Sequence, residues 1–216
     1  MKDEHRWDRK LNISTGGRDG TAEDSHRRSY EPTPYAVLER IAESGLVGKQ
    51  NLLVDYGCGK GRVSLFLSWR TGCRSVGIDF NPRLTGEAER NRQSFAGKAQ
   101  VRFFTESAER YEVPSGADCF YFFNPFSAET LRSVLARITG SWYESPRPMR
   151  LLFYYPSDEY RQILMDADEL TYVREIDCSD LFPGDERERV LCFETGRGGE
   201  GSGSMLSEGL KKRAPG

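Results

Sequence analysis

Histidine is almost missing from this chain: His5 and His26 are the only two, and both precede the first long apolar run. A histidine-centred triad or a histidine metal cluster in the folded core is thereby excluded. Cysteine shows no useful pattern either. Cys58, Cys73, Cys119, Cys178 and Cys192 are odd in number and scattered, without a CxxC pair. That argues against a disulfide framework and a zinc site, and suits a reducing compartment. No apolar run approaches the ~18 residues of a membrane span, and the opening "MKDEHRWDRK" lacks the apolar core of a signal peptide. A soluble, cytoplasmic protein with no membrane partner is expected. Surplus charge is missing as well: the net charge of -2 gives no global attraction to nucleic acid or acidic lipid.

What is present sorts into a body and two polar ends. Residues 1–29 hold few large apolar groups, Trp7, Leu11 and Ile13, among charges and glycines. Alone they cannot offset the entropy of ordering, so they read as an arm, disordered or docked on the body, and as a candidate lid. Residues 196–216 are rich in glycine and serine and read as a flexible tail. Over 30–195, buried-strand runs alternate with helical spacing. "TPYAVLERIAESG" begins with Thr33 as an N-cap and Pro34 at the first helical position. "NLLVDYG", "RSVGID", "QVRFF", "DCFYFF", "RLLFYY", "LTYVREI" and "RVLCFE" read as seven strands, and Pro82, Ser127 and Ser157 open the later helices.

This alternation predicts an α/β fold: a doubly wound, mostly parallel seven-stranded sheet. The last two strands lack a helix between them, so one strand near the edge should run antiparallel. Ligands of such sheets sit at the carboxyl ends of the strands, near the switch in strand order. Three loops fall there. One is the glycine turn after the first strand, one carries Asp79 after the second, and one is "NPF" after the fourth.

A phosphate-binding P-loop needs GxxxxGK[ST]; here Lys60 is followed by Gly61 and the pattern fails. The dinucleotide fingerprint is GxGxxG around a pyrophosphate, whereas Gly57, Gly59 and Gly61 make a GxGxG with Asp55 just upstream. A carboxylate there repels a pyrophosphate and attracts an ammonium or a sulfonium. S-adenosylmethionine carries both and no phosphate. Asp79 suits two ribose hydroxyls, a feature that NAD and S-adenosylmethionine sites share. Cys58 and Lys60 read as turn filler, since no histidine base is at hand to activate the thiol.

With "VDYGCGKG", "VGIDFNP", "TESAE" and "DCFYFFNPF" in order on the expected strands, the chain resembles the class I S-adenosylmethionine-dependent methyltransferases over roughly 30–195. The resemblance implies Asp55 near the methionine ammonium and Gly57 and Gly59 under the cofactor. Tyr56, Cys58 and Gly61 complete the turn. It further implies Asp79 and Phe80 at the ribose, and Glu106, Ser107 and Ala108 by the adenine, with either Glu106 or Ser107 meeting its amine.

"FFNPF" partly resembles the Asn/Asp-Pro-Pro-aromatic motif of methyltransferases that modify exocyclic adenine amines or glutamine amides, and departs from it in having one proline. The resemblance implies catalytic roles for Asn124, Pro125 and Phe126. In those families the Asn side-chain oxygen and a Pro carbonyl accept hydrogen bonds from the target NH2, and the aromatic can stack on a flat substrate. The plainer reading is that Pro125 and Phe126 end the strand and pack the next helix. Tyr30 and Tyr35 either line an acceptor pocket or start a helix.

The expectation is therefore an S-adenosylmethionine-dependent methyltransferase with no metal. Its acceptor is unidentified (small molecule, protein or nucleic acid), and an amine or amide nitrogen leads. The alternatives are an NAD(P)-dependent Rossmann oxidoreductase and a non-catalytic cofactor-binding module.

Overall fold

The computed structural model describes residues 2–17 and 30–196. Residues 18–29 of the expected arm and candidate lid (1–29), and 197–216 of the expected tail, are outside the described residues. Seven strands form one sheet in the order β3-β2-β1-β4-β5-β7-β6. β1 (Leu52–Tyr56) lies between β2 (Arg74–Asp79) and β4 (Cys119–Phe122), parallel to both. β3 (Gln100–Thr105) and β5 (Arg150–Tyr154) extend the parallel region on either side. β7 (Arg189–Thr195) runs antiparallel to both β5 and the edge strand β6 (Leu170–Asp177), as the absence of a helix between the last two strands requires.

Alternation within the central strands fills two layers. Phe120 and Phe122 of β4 join Val54, Tyr56 and Phe153 under α5 (Ala128–Glu144) and α6 (Asp158–Met165). Cys119 and Tyr121 face the other way, with Leu53 and Leu152, under α2 (Tyr35–Glu43) and α3 (Arg62–Thr71). Both faces of the parallel strands are covered, which is why these strands read as continuous apolar runs. α4 (Pro82–Ser94) packs on β2 and β3. The strand order reverses between β1 and β4, so their carboxyl ends open a crevice.

Local signals set most boundaries. Asn81 caps α4 by accepting from the Arg83 N–H at 3.0 Å, and Ser127 and Ser157 cap α5 and α6 in the same way. Thr33 does not cap α2 as its sequence position suggests. Pro34 takes the cap position with no side-chain bond, and the Thr33 hydroxyl lies 2.8 Å from the Tyr121 hydroxyl. The Tyr121 phenol is fully buried in the sheet and needs a partner there, so this pairing outweighs the local cap.

Residues 2–17 fold onto the body as α1 (Lys2–Leu11) and the segment after it. The Trp7 ring lies within 6 Å, centroid to centroid, of Tyr35, Phe66 and Trp69, while Leu11 and Ile13 are buried. Polar groups do as much as apolar ones here. Asp8 accepts from the Thr15 N–H and hydroxyl, each at 2.7 Å, and from the Tyr35 hydroxyl at 2.6 Å. Arg62, only 3% exposed, donates to Thr15 Oγ1, to the Thr33 carbonyl and to Glu4.

Candidate functional site

A cleft of about 400 Å³ opens at the carboxyl ends of β1, β2 and β4. Its floor is the turn from β1 into α3. Gly57, Gly59 and Gly61 all have positive φ (76°, 52° and 84°), a conformation that a side chain would strain. The Gly57 and Cys58 N–H groups both donate to the Ile78 carbonyl, which ties the turn to β2. Each glycine also has a neighbour where a Cβ would go. Pro125 lies over Gly57, Tyr30 over Gly59 and Phe103 over Gly61, all within 2.5 Å of the position a Cβ would take.

Two carboxylates serve this floor. Asp55 is buried, lines the cleft and accepts from the Ser64 hydroxyl at 2.9 Å. No cation pairs with it among the described residues, and burial pushes its carboxyl up to about 7. Asp79 accepts from the Gly59 N–H through one oxygen (3.0 Å) and from the Asn81 N–H through the other (2.9 Å). Burial raises its carboxyl too, opposed by those two bonds. Each Asp79 oxygen keeps a lone pair for a further donor.

The loops after β3 and β4 form the walls. Glu106 turns back to accept from the Ser107 N–H and pairs with Arg110, and the Ser107 hydroxyl donates to Glu109. Asn124 has φ 40°. Its amide bridges to the loop after β5, donating to the Tyr155 carbonyl at 2.5 Å and accepting from the Ser157 N–H at 3.2 Å. The Phe126 ring is buried edge-on against Phe122, and its carbonyl accepts from the Tyr160 hydroxyl at 2.6 Å.

Most residues singled out from the sequence line one cleft: Asp55, Tyr56, Gly57, Cys58, Asp79, Phe80, Glu106, Ser107, Ala108, Asn124, Pro125 and Phe126. Gly59 and Gly61 do not; the places a Cβ would take there are filled by Tyr30 and Phe103. Tyr35 lies in the core, whereas Tyr30 reaches the cleft. Sequence reasoning missed Phe123, whose half-buried ring lines the cleft and packs 4.6 Å from Tyr154, and it missed the Thr33–Tyr121 pair. It missed Arg62 as well. The only available signal was position, since all of them flank loops at the switch point.

These groups fit S-adenosylmethionine. A buried carboxylate without a cation suits an ammonium, and Asp79 suits the hydroxyl pair of a ribose. A pyrophosphate on the glycine turn would meet the Asp55 carboxylate and fits poorly. Among the described residues no cluster of three His, Cys, Asp or Glu is placed to hold a metal, and no helix is long and apolar enough to cross a membrane.

Comparison with known proteins agrees with the geometry. Residues 53–141 match the family model described as a methyltransferase domain. No curated relative matches the sequence. An RNA methyltransferase from Salinibacter ruber, solved with S-adenosyl-L-homocysteine, shares 21% identity over 76% of this chain and 94% of its own, with a TM-score of 0.54. A TehB-like SAM-dependent methyltransferase from Corynebacterium glutamicum shares 18% over 74% of this chain and 88% of its own (TM-score 0.55). Magnesium protoporphyrin IX methyltransferase from Synechocystis, solved with bound SAM, shares 20% over 76% and 77% (TM-score 0.52). At these identities the likeness establishes the fold. Residues 53–141 thus match a methyltransferase domain, and the seven-stranded sheet that frames them has the fold of the S-adenosylmethionine-dependent methyltransferases to which it is similar.

Proposed function

We propose that this chain binds S-adenosylmethionine in the cleft and methylates an amine or amide nitrogen entering between residues 31–33 and Asn124. When bound, the cofactor supplies an electrophilic methyl group on a sulfonium centre. The observation that carries the reading is Asp55, a buried carboxylate with no cation, in one cleft with Asp79 and Asn124. Asp55 holds the cofactor ammonium, Asp79 its ribose hydroxyls, and Glu106–Ala108 border the adenine. Ile78 and Leu84 give the purine and ribose apolar contact.

On the acceptor side, the Asn124 oxygen keeps one lone pair after accepting from Ser157, and Phe123 offers an aromatic surface. An amide-type nitrogen is a weak nucleophile, and a fixed oxygen that accepts its N–H orients it and stabilises the charge it gains. Four arginines around that edge are paired: Arg83 of α4 with Glu87, Arg161 of α6 with Asp158, and in loops Arg110 with Glu106 and Arg187 with Asp185. That edge favours an uncharged or cationic acceptor over a polyanion. The test is transfer of labelled methyl to a panel of amines, basic peptides and RNA, with the methylated atom read by mass spectrometry. Label on nitrogen, lowered at least about tenfold by Asn124→Ala at unchanged cofactor affinity, supports the reading. Label confined to oxygen or carbon overturns it, and label confined to RNA overturns the preference for an uncharged or cationic acceptor.

Asp55 also predicts a pH dependence. Its folded value of about 7 lies above the ordinary 3.8, so between those limits the folded protein holds a proton that the unfolded chain has lost. This group therefore makes stability fall as pH rises through that window, by at most about 1.4 kcal/mol per pH unit, and level off above it. A bound cation needs the ionised form, so cofactor affinity should rise over the same window. Thermal melts and calorimetry on wild type and Asp55→Asn check both. The asparagine variant should lose the Asp55 share of the stability slope and the rise in affinity, and slopes that persist unchanged would remove Asp55 from this role.

A further inference from the structure

The glycine turn that floors the cleft is also held by the N-terminal segment and by Tyr30. Three residues wall the turn, and two of them, Pro125 and Phe103, belong to the sheet and its loops. The third is Tyr30, whose ring edge stands 2.2 Å from where a Gly59 Cβ would be. Its hydroxyl donates to the Thr15 carbonyl at 2.6 Å, which fixes the ring on the turn. The next residue of the turn is tied to the same segment: Lys60 Nζ donates to the Gly16 carbonyl at 3.0 Å and sits 5.3 Å from the Tyr30 ring centroid.

Two further ties make this a built arrangement. The buried Asn91 amide donates both to the Ser14 carbonyl and to the Lys60 carbonyl, and its oxygen accepts from the Ser14 N–H. Arg62, the first residue after the turn, is bonded to Thr15, whose N–H and hydroxyl are in turn held by Asp8 of α1. Residues 59–62 thus meet residues 14–16 at the side chains of Lys60 and Arg62 and through Asn91. Tyr30 bridges the same two segments.

The consequence reaches the cleft through one bond. Gly59, the residue under Tyr30, donates its N–H to Asp79, the carboxylate assigned to the ribose. We infer that Tyr30 is a positioning residue for the cofactor: clamped by Thr15, its ring holds Gly59 in its left-handed conformation, and Gly59 holds the Asp79 carboxylate. Residues 2–17 are on this account a working part of the cofactor site, although none of them lines the cleft. The inference rests on the S-adenosylmethionine reading and goes beyond it.

The experiment titrates full-length wild type, Tyr30→Ala, Tyr30→Phe and Tyr30→Leu with S-adenosylhomocysteine by calorimetry, well below each melting midpoint. Tyr30→Leu stands in if the alanine variant is unfolded by circular dichroism. The expected result is a loss of at least tenfold in affinity for Ala or Leu and a smaller but measurable loss for Phe, which keeps the ring and gives up its bond to Thr15. The Asp79→Ala variant, with and without Tyr30→Ala, completes a double-mutant cycle. Because Tyr30 acts through Gly59 on Asp79, the Tyr30 effect should largely vanish when Asp79 is gone. A merely structural Tyr30 would lower the melting midpoint and leave the affinity of the folded protein untouched, which would overturn the inference. Wild type that fails to bind at all would instead overturn the cofactor reading on which it rests.

Discussion

Gly57→Ala is expected to weaken S-adenosylhomocysteine binding by at least about 100-fold, or about 2.7 kcal/mol. At φ +76° a non-glycine residue costs about 1–2 kcal/mol, and the new methyl group would stand 2.4 Å from Pro125 Cβ. One of the two must move. Pro125 is held from both sides, by the Asn124 bridge to Tyr155 and Ser157 and by the Tyr160 bond to the Phe126 carbonyl. The glycine turn therefore gives way, and the Gly57 and Cys58 bonds to the Ile78 carbonyl go with it. Gly45→Ala is the matched control: its φ of +74° is as unfavourable, but a Cβ there meets nothing within 4 Å. That variant should lose about 1 kcal/mol of stability and bind normally. Equal binding by the two variants would show that the turn tolerates a Cβ at Gly57 and would contradict this account.

Asp79→Ala is expected to cost about 1,000-fold in affinity for the same ligand, about 4 kcal/mol. Hydrogen bonds to a charged group contribute about 1.5–3 kcal/mol each, and the carboxylate is assigned two ribose hydroxyls. The change also leaves the Gly59 and Asn81 N–H groups without their acceptor. Unfolding free energy should therefore fall by about 1–3 kcal/mol, offset in part because a desolvated carboxylate is removed. Calorimetry and a urea melt separate the two effects. Asp79→Asn keeps an acceptor for one of the backbone donors and should recover more stability than affinity. An alanine variant that binds as wild type does would remove Asp79 from the site.

The strands were legible because burial on both faces leaves an unbroken apolar run, as in Cys119–Phe122 and Leu151–Tyr154. Asn81, Ser127 and Ser157 follow local chemistry, and local chemistry is what a sequence displays. The antiparallel β7 followed from a missing helix. The central cleft residues were legible for a similar reason, since a strand with a glycine turn behind it places Asp55 and Gly57 without further information.

What stayed hidden depends on distant partners. Thr33 has the chemistry of a cap, yet its partner is Tyr121, 88 residues away. α1 offers only Trp7 and Leu11 one turn apart, too little apolar surface to predict a docked helix. Its anchors are Asp8 and Thr15, polar residues whose burial is explained only by Arg62, 47 residues beyond Thr15. Phe126 was placed at the acceptor by motif, but β4 ends at Phe122 and the backbone turns at Asn124. Strand periodicity stops there, so it could not show that Phe123 joins Phe126 in lining the cleft. Asn124 likewise carries a structural tie to the loop after β5 that no spacing announces.

The central claim is that the glycine turn and its two carboxylates hold S-adenosylmethionine. Calorimetric titration of the folded wild-type protein with S-adenosylhomocysteine, and separately with NAD, tests it most directly. The account predicts saturable one-to-one binding of S-adenosylhomocysteine and no binding of NAD. Folded protein that takes up NAD and leaves S-adenosylhomocysteine unbound would contradict it.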